Sequence, residues 1–195
     1  MTKGYITAFD LVQFAKPFVG KKEGFTKWVS YDQIGDVVPD FDGRYVVSVE
    51  EIAKIKDIEN QRIILWNRPN NKEIKDTYFG GWYNQKDNLY EIEEVMVYNN
   101  FDHALKEAIA NKQLYIYDLI EHRVISVEQQ IRYNNLTTTL VEVDNILDKL
   151  QLAWNLSTDS QIKDNLNDEW ENLVKVKKRI ERRLTLLKAW GEILV

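Results

Sequence analysis

The chain has 195 residues, of which 44% are hydrophobic and 29% are charged, as in globular proteins with one domain and an appendage or with two small domains. A net charge of −5 argues against a general nucleic-acid binder, which carries a clustered positive excess. The absence of cysteine excludes disulfides, thiolate metal sites and a cysteine nucleophile. No stretch has the continuous apolar content of a signal peptide or a membrane span, so we expect a soluble, cytoplasmic protein with no membrane partner.

Short runs of aromatic and β-branched residues occupy the first part of the chain, residues 1–125. They are bounded by Gly, Pro, Asn and Asp, which is typical of strands in a half-buried sheet. The predicted strands cover residues 25–31, 44–49, 62–66, 90–98, 114–118 and 123–127.

Three helices are predicted among these strands. The first lies around Ala8 to Ala15 and is expected to end near Pro17, because proline disrupts a helix interior. The second begins at Ser48, whose spacing to Glu51 matches a capping box, and covers "SVEEIAKIKDI". The third, "FDHALKEAIANK", places four apolar residues on one face: Ala104, Leu105, Ala108 and Ile109.

A long helix is predicted where the composition changes, because residues 127–190 contain no Gly or Pro. Ser126 and Gln129 form a capping box at its start. Its apolar residues step by three and four, which predicts a heptad seam: Tyr133, Leu136, Leu140, Val143, Leu147, Leu150 and Trp154.

A second long helix follows the polar break "NLSTDSQ", with Thr158 and Gln161 as its capping box. Its seam again averages near 3.5 residues per step: Ile162, Leu166, Trp170, Leu173, Val176, Ile180, Leu184, Leu187, Trp190 and Leu194. Two such helices joined by a short polar turn predict an antiparallel, coiled-coil-like hairpin. The predicted fold class is therefore α+β, with a small mixed-sheet domain at residues 1–125 and a helical hairpin at residues 126–195.

Charge is polarised along this hairpin, with acidic residues near its turn and a basic face on the second helix. The acidic end is expected to be a free tip, which could imitate nucleic-acid phosphates in a basic groove. The alternatives are a solvated basic face, or a basic end docked on Glu91, Glu93 and Glu94. The residues predicted to bind a partner are Asp164, Asp168, Glu169, Glu171, Lys175, Lys178, Arg179 and Arg182.

Apolar residues outside the seams predict self-association. A two-helix hairpin cannot bury them alone, so either the hairpin packs on the first domain or two hairpins form a four-helix bundle. We expect the homodimer, because the seam runs the full hairpin. Its predicted interface contains Val141, Ile146, Leu186, Ala189 and Ile193.

The stretch "YFGGWYN", Tyr78 to Asn84, places two glycines among four aromatic residues. One interpretation is an aromatic platform for a ligand; the other is a bulge or a sharp bend in a sheet. We favour the sheet, because no basic or catalytic residue accompanies the aromatic ones.

Asp40, Glu73 and Lys75 match a proline-Asp … Glu-x-Lys pattern found in metal-dependent nucleases. In such sites two carboxylates hold a magnesium ion and the lysine assists the attacking water. Because "PNNKEIKD" is polar and typical of a loop rather than of a core strand, we treat the nuclease as an alternative.

The segment from residue 80 to 127 resembles a module of small uncharacterised bacteriophage and prophage proteins. The matching residues are Gly80, Gly81, Trp82, Ala104, Ala108, Gln113, Ile116, Tyr117 and Asp118. The resemblance implies a β-β-α-β-β order and a viral origin, and it implies no activity.

We therefore expect a non-catalytic protein-interaction protein without a cofactor or a metal. The resemblance implies an inhibitor of a host defence, of the anti-CRISPR or anti-restriction type, or of a host replication factor. The alternatives are the nuclease, and a structural or assembly adaptor that uses the hairpin as a spacer.

Overall fold

The computed structural model describes residues 6–21, 24–29, 33–37, 43–58, 61–69 and 77–189. Its helices are α1 (Ala8–Lys21), α2 (Phe101–Ala110), α3 (Val127–Leu156) and α4 (Ser160–Ala189), and its strands are β1 (Phe25–Val29), β2 (Ile34–Asp36), β3 (Tyr45–Ile58), β4 (Gln61–Trp66), β5 (Thr77–Asn84), β6 (Leu89–Tyr98), β7 (Tyr115–Asp118) and β8 (Arg123–Ser126). The α+β prediction is confirmed. The chain divides into two compact units, Met1–Val124 and Ile125–Val195.

The strands form one eight-stranded sheet in the order β2-β1-β5-β6-β3-β7-β8, with β4 paired to β3 outside this path. The sequence predicts a mixed sheet, whereas each strand pair whose register is described is antiparallel. The expected β-β-α-β-β order is present as β5, β6, α2, β7 and β8. Strand β2 has no counterpart among the predicted runs.

Helix α1 supplies the core on one face of the sheet. Its buried residues Leu11, Val12 and Ala15 pack with Phe79 and Ile92 of the sheet. The prediction that this helix ends near Pro17 is wrong, because it continues to Lys21. Pro17 costs a backbone hydrogen bond, but the following turn buries Val19 and packs Phe18 against the core, which favours continuation.

The helix predicted over Ser48–Ile58 is also wrong, since these residues belong to strand β3. The pairing of β3 with β6 shifts register twice, between Ser48 and Glu50 and between Glu51 and Ala53. A bulge inserts one extra residue into a strand. Two bulges therefore bring Ser48, Glu51 and Lys54, spaced three apart like neighbours on a helix, to one face of the sheet.

The stretch "YFGGWYN" lies in β5, which pairs in continuous register with β1 and β6. It is sheet architecture, as predicted, but it contains neither a bulge nor a bend. A Cβ at Gly81 would lie 2.6 Å from Cε1 of Phe25 and 2.8 Å from Cε1 of Tyr90. Glycine is needed here because two aromatic rings occupy the space of a side chain.

Helices α3 and α4 form the predicted antiparallel hairpin. The Oγ atom of Ser126 accepts a hydrogen bond from the Gln129 N–H at 3.3 Å, which is one half of the capping box predicted at these two residues; the Oε1 atom of Gln129 has no hydrogen-bond partner among the described residues, so the reciprocal bond is not formed. Buried residues Val143, Ile180 and Leu184 form the hairpin core, and partly buried residues of the predicted α3 seam pack against it: Tyr133, Leu136, Leu140 and Leu147.

The capping box predicted at Thr158 is wrong. The carboxylate of Asp159 accepts the N–H groups of Gln161 at 2.8 Å and Ile162 at 3.2 Å, so Asp159 caps α4. Within the described ranges, no helix has both the length and the apolar content that a membrane span requires.

Candidate functional site

Carboxylates face one another where β3 pairs with β6. Glu50 lies opposite Glu94 and Glu51 lies opposite Glu93, while Lys54 lies opposite Glu91. Like charges directly opposite in a sheet are destabilising. Each of the two glutamate pairs is compensated in a different way.

Arg68, which follows β4, compensates the first pair. Its guanidinium binds both Glu50 and Glu94, although only 7% of Arg68 is exposed. These two glutamates hold the pKa of Arg68 above its ordinary value, with the bond to Glu50 as the largest cause. Thr77 adds a hydrogen bond from its hydroxyl to Glu94 at 3.0 Å.

Lys54 compensates the charge of Glu51 in the second pair. Its Nζ atom lies 2.8 Å from Oε2 of Glu51 and 3.6 Å from Oε1 of Glu91. The hydrogen bond to Glu51 raises the pKa of Lys54, and Asn67 donates a further hydrogen bond to Glu51. Glu51 therefore has a cation and a neutral donor as partners.

Glu93 is compensated by a proton instead. Burial raises its pKa to about 7, and the negative charges of Glu91 and Glu51 act in the same direction. Hydrogen bonds from Ser48 and Trp82 oppose this rise, and the indole Nε1 of Trp82 lies 3.0 Å from Oε2 of Glu93. Near neutral pH this carboxyl can hold or release a proton.

Aromatic side chains surround Glu93 on the same face of the sheet. Trp28 pairs with Tyr78 across β1 and β5, and alternation along β5 places Tyr78 and Trp82 on one side. Gly80 lies directly opposite Glu93. We name Ser48, Glu51, Lys54, Trp82, Glu91 and Glu93 the glutamate face. Sequence reasoning missed its chemistry, although "EIEEV" carries the signal of closely spaced carboxylates.

The alternative nuclease interpretation rests on Asp40, Glu73 and Lys75, which lie outside the described residues. Among the residues that the structure describes, no group of three or more His, Asp or Glu side chains is arranged to hold a metal ion. The glutamate face is instead cross-linked by Lys54 and by neutral donors.

A buried ion pair joins the start of β3 to the turn after β7. Arg44 donates two hydrogen bonds to Asp118, at 2.8 and 2.7 Å, and the Asp118 side chain is fully buried. Burial alone would raise the pKa of Asp118, but the bonds from Arg44 and from the backbone N–H groups of Glu121 and Ile120 lower it. Asp118 therefore has a structural role.

The turn end of the hairpin carries an open groove between α3 and α4. Its volume is about 310 Å³, and it is lined by Leu150, Gln151, Trp154, Leu166, Asn167 and Trp170. Trp154 is 40% exposed and Trp170 is 38% exposed, so the predicted seam is not closed here. The Nζ atom of Lys163 lies 4.4 Å from the centre of the Trp154 ring. We name these six lining residues the tryptophan groove.

The eight residues predicted to bind a partner all lie exposed on α4: Asp164, Asp168, Glu169, Glu171, Lys175, Lys178, Arg179 and Arg182. Within the described ranges, none of them forms an ion pair. Glu91, Glu93 and Glu94, considered above as acceptors for the basic face, have partners within the sheet unit: Glu91 binds Lys54, Glu93 binds Trp82 and Glu94 binds Arg68.

The residues predicted for the dimer interface are exposed where the structure describes them. Val141, Ile146 and Leu186 are each more than 40% exposed, and Ala189 is exposed at the end of α4. Ile193 lies outside the described residues.

Comparison of the chain with protein-family models, with curated proteins and with solved structures gives no match.

Proposed function

We propose that this chain is a non-catalytic protein-interaction protein that binds its partner through the tryptophan groove. The observation that carries this proposal is the exposure of Trp154 and Trp170 in a groove that is lined by both apolar and polar side chains. Both tryptophans occupy seam positions, where a closed hairpin would bury them. Large aromatic side chains that stay exposed are typical of a surface that another protein covers. Two long paired helices provide a rigid platform for them.

The charge around the groove defines the partner that fits it. Residues 144–171 contain seven carboxylates and two lysines. A partner segment with a large apolar side chain for the groove and Lys or Arg residues beside it satisfies both features. Its association is expected to weaken as salt rises, because surface charges are screened.

The class of partner follows from the resemblance of residues 80–127 to bacteriophage proteins. On that basis the partner is a host defence protein of the CRISPR or restriction type, or a replication factor, in the host cytoplasm. Such proteins bind nucleic acid through basic surfaces, which supports an acidic binding surface on their inhibitor. The same groove would also serve an assembly adaptor that uses the hairpin as a spacer.

Capture of proteins from a bacterial lysate tests the groove. The full chain is compared with the double variant Trp154→Ala/Trp170→Ala and with Val141→Ala/Leu186→Ala, which removes exposed apolar side chains outside the groove. We expect a captured protein to be lost only from the tryptophan variant. Equal capture by both double variants would contradict the assignment of the groove.

The claim that the chain is not a catalyst is tested by incubating it with magnesium or manganese and several DNA and RNA substrates. We expect no cleavage. Metal-dependent cleavage by the full chain that is lost in Asp40→Ala would overturn the proposal in favour of the nuclease.

A further inference from the structure

Six charged residues form one outward-facing line along α4, which we name the charge stripe: Asp164, Asp168, Glu171, Lys175, Lys178 and Arg182. They are spaced by four, three, four, three and four residues, so they lie on one side of the helix. All six are exposed. The first three are acidic and the last three are basic, so the two signs are segregated along the helix.

This segregation makes most neighbours within the stripe like-charged. Like charges three or four residues apart repel, whereas opposite charges at the same spacing attract. Asp164 and Asp168 repel each other, as do Lys178 and Arg182, and only Glu171 and Lys175 form an attractive neighbouring pair. Among the described residues, none of the six forms an ion pair with a residue of another element that would offset this repulsion.

The positions of the charges are symmetric about residue 173. Asp164 and Arg182 each lie nine residues from it, Asp168 and Lys178 lie five, and Glu171 and Lys175 lie two. If a second copy of α4 lies antiparallel to the first and is centred on residue 173, each acidic residue of the stripe faces a basic residue of the other copy.

We propose that two copies of the chain associate through their charge stripes, with the α4 helices antiparallel about a two-fold axis at the level of residue 173. Each of the three acidic–basic pairs then occurs twice, which gives six intermolecular ion pairs. The interface is isologous, because the same surface is used on both copies. Leu186 continues the stripe by one further step of four residues and is 57% exposed.

This association differs from the dimer predicted from apolar residues, because Val141 and Ile146 lie on α3 and take no part in it. The stripe contains no residue of the tryptophan groove, although its three acidic residues are among the carboxylates around that groove. The two tests remain distinguishable, because Trp154→Ala/Trp170→Ala leaves the stripe unchanged and the charge-exchange variants leave the groove lining unchanged.

Charge-exchange variants test both the association and its register. Lys178→Glu places a carboxylate opposite Asp168 of the other copy and is expected to weaken the dimer roughly tenfold. Asp168→Lys/Lys178→Glu restores opposite charges at facing positions and is expected to restore the dimer. Asp168→Lys/Arg182→Glu has the same net charge, but it leaves like charges facing each other, so it is expected to stay dissociated.

The readout is the mass in solution by sedimentation equilibrium across the micromolar range at low and high salt. The unchanged chain is expected to approach twice its 23.1 kDa mass at low salt and to dissociate as salt rises. Both double variants alternate charge along the helix more than the natural stripe does, so loss of helix would not explain a difference between them. A monomer at low salt, or equal association of the two double variants, would overturn the proposal.

Discussion

Glu51 on β3 and Glu93 on β6 face each other across an antiparallel strand pair, yet the structure treats their charges differently. Glu51 forms an ion pair with Lys54 at 2.8 Å. Glu93 has no cation within salt-bridge distance among the described residues; it receives hydrogen bonds from Trp82 and Ser48, and burial raises its pKa to about 7. Near neutral pH the carboxyl of Glu93 can therefore hold or release a proton.

This raised pKa predicts that stability falls as pH rises. The pKa of Glu93 is about 7 in the folded state against an ordinary value of 4.5, so the folded chain binds the proton more tightly than the unfolded chain. The contribution of Glu93 is therefore fully present below pH 4.5 and is lost by just above pH 7. Glu93→Gln keeps a neutral side chain, and we expect it to raise the free energy of unfolding by about 1–3 kcal/mol at pH 8.

Urea unfolding of both chains between pH 5 and 8 measures this effect. Glu107→Gln on α2 changes an exposed glutamate and serves as the control, with no change expected in the pH dependence. A pH dependence that survives unchanged in Glu93→Gln would contradict the assignment.

Removal of Arg68 is expected to destabilise the sheet unit. Arg68→Ala leaves Glu50 and Glu94 opposed without a cation, and we expect the free energy of unfolding to fall by about 2–4 kcal/mol. Arg132→Ala removes an exposed pair with Glu128 and is expected to cost less than about 1 kcal/mol.

Denaturant titrations of these two variants and of Arg68→Ala/Glu94→Gln provide the measurement. The double variant should recover part of the loss, because one of the two opposed charges is gone. If Arg68→Ala were no more costly than Arg132→Ala, the contacts of Arg68 with Glu50 and Glu94 would have no role in stability.

Gly81 is expected to tolerate no side chain. Gly81→Ala places a methyl group within 2.8 Å of both Phe25 and Tyr90, and overpacking of this kind costs about 1–3 kcal/mol. Gly24→Ala is the matched control, because its Cβ meets only the carbonyl oxygen of Gly81 at 3.4 Å. Thermal unfolding should show a lower midpoint for Gly81→Ala alone; equal midpoints would mean that the rings move aside freely.

Asp159 and Thr158, which lie at the start of α4, are expected to differ in their contribution to stability. Asp159→Ala removes the acceptor for two backbone N–H groups and is expected to lower the free energy of unfolding by about 1 kcal/mol. Thr158→Ala, the residue that the sequence pattern favours, should change it by less than about 0.5 kcal/mol. Unfolding monitored by circular dichroism compares the two, and the reverse order would restore the predicted capping box.

The glutamate face was not predictable from the order of its residues alone. Ser48, Glu51 and Lys54 are spaced by three, which is the spacing of a helix, and Ser48 with Glu51 also matches a capping box. Two bulges in β3 produce the same spacing on one face of a sheet. The raised pKa of Glu93 requires Trp82 and Glu51, which reach it only through pairing with β5 and β3.

Local sequence patterns were sufficient to predict the α+β class, helix α2, most of the strand segments and the hairpin with its seam. Helical hydrogen bonds and the apolar positions of a heptad seam involve residues three or four apart, so a short stretch of sequence is enough to reveal their pattern. Three features were set by tertiary contacts instead: residues 50–58 continue strand β3, Arg68 lies between Glu50 and Glu94, and the seam is open at Trp154 and Trp170. These features depend on residues from distant parts of the chain or from the facing helix. Such contacts produce no periodic pattern in a short stretch of sequence.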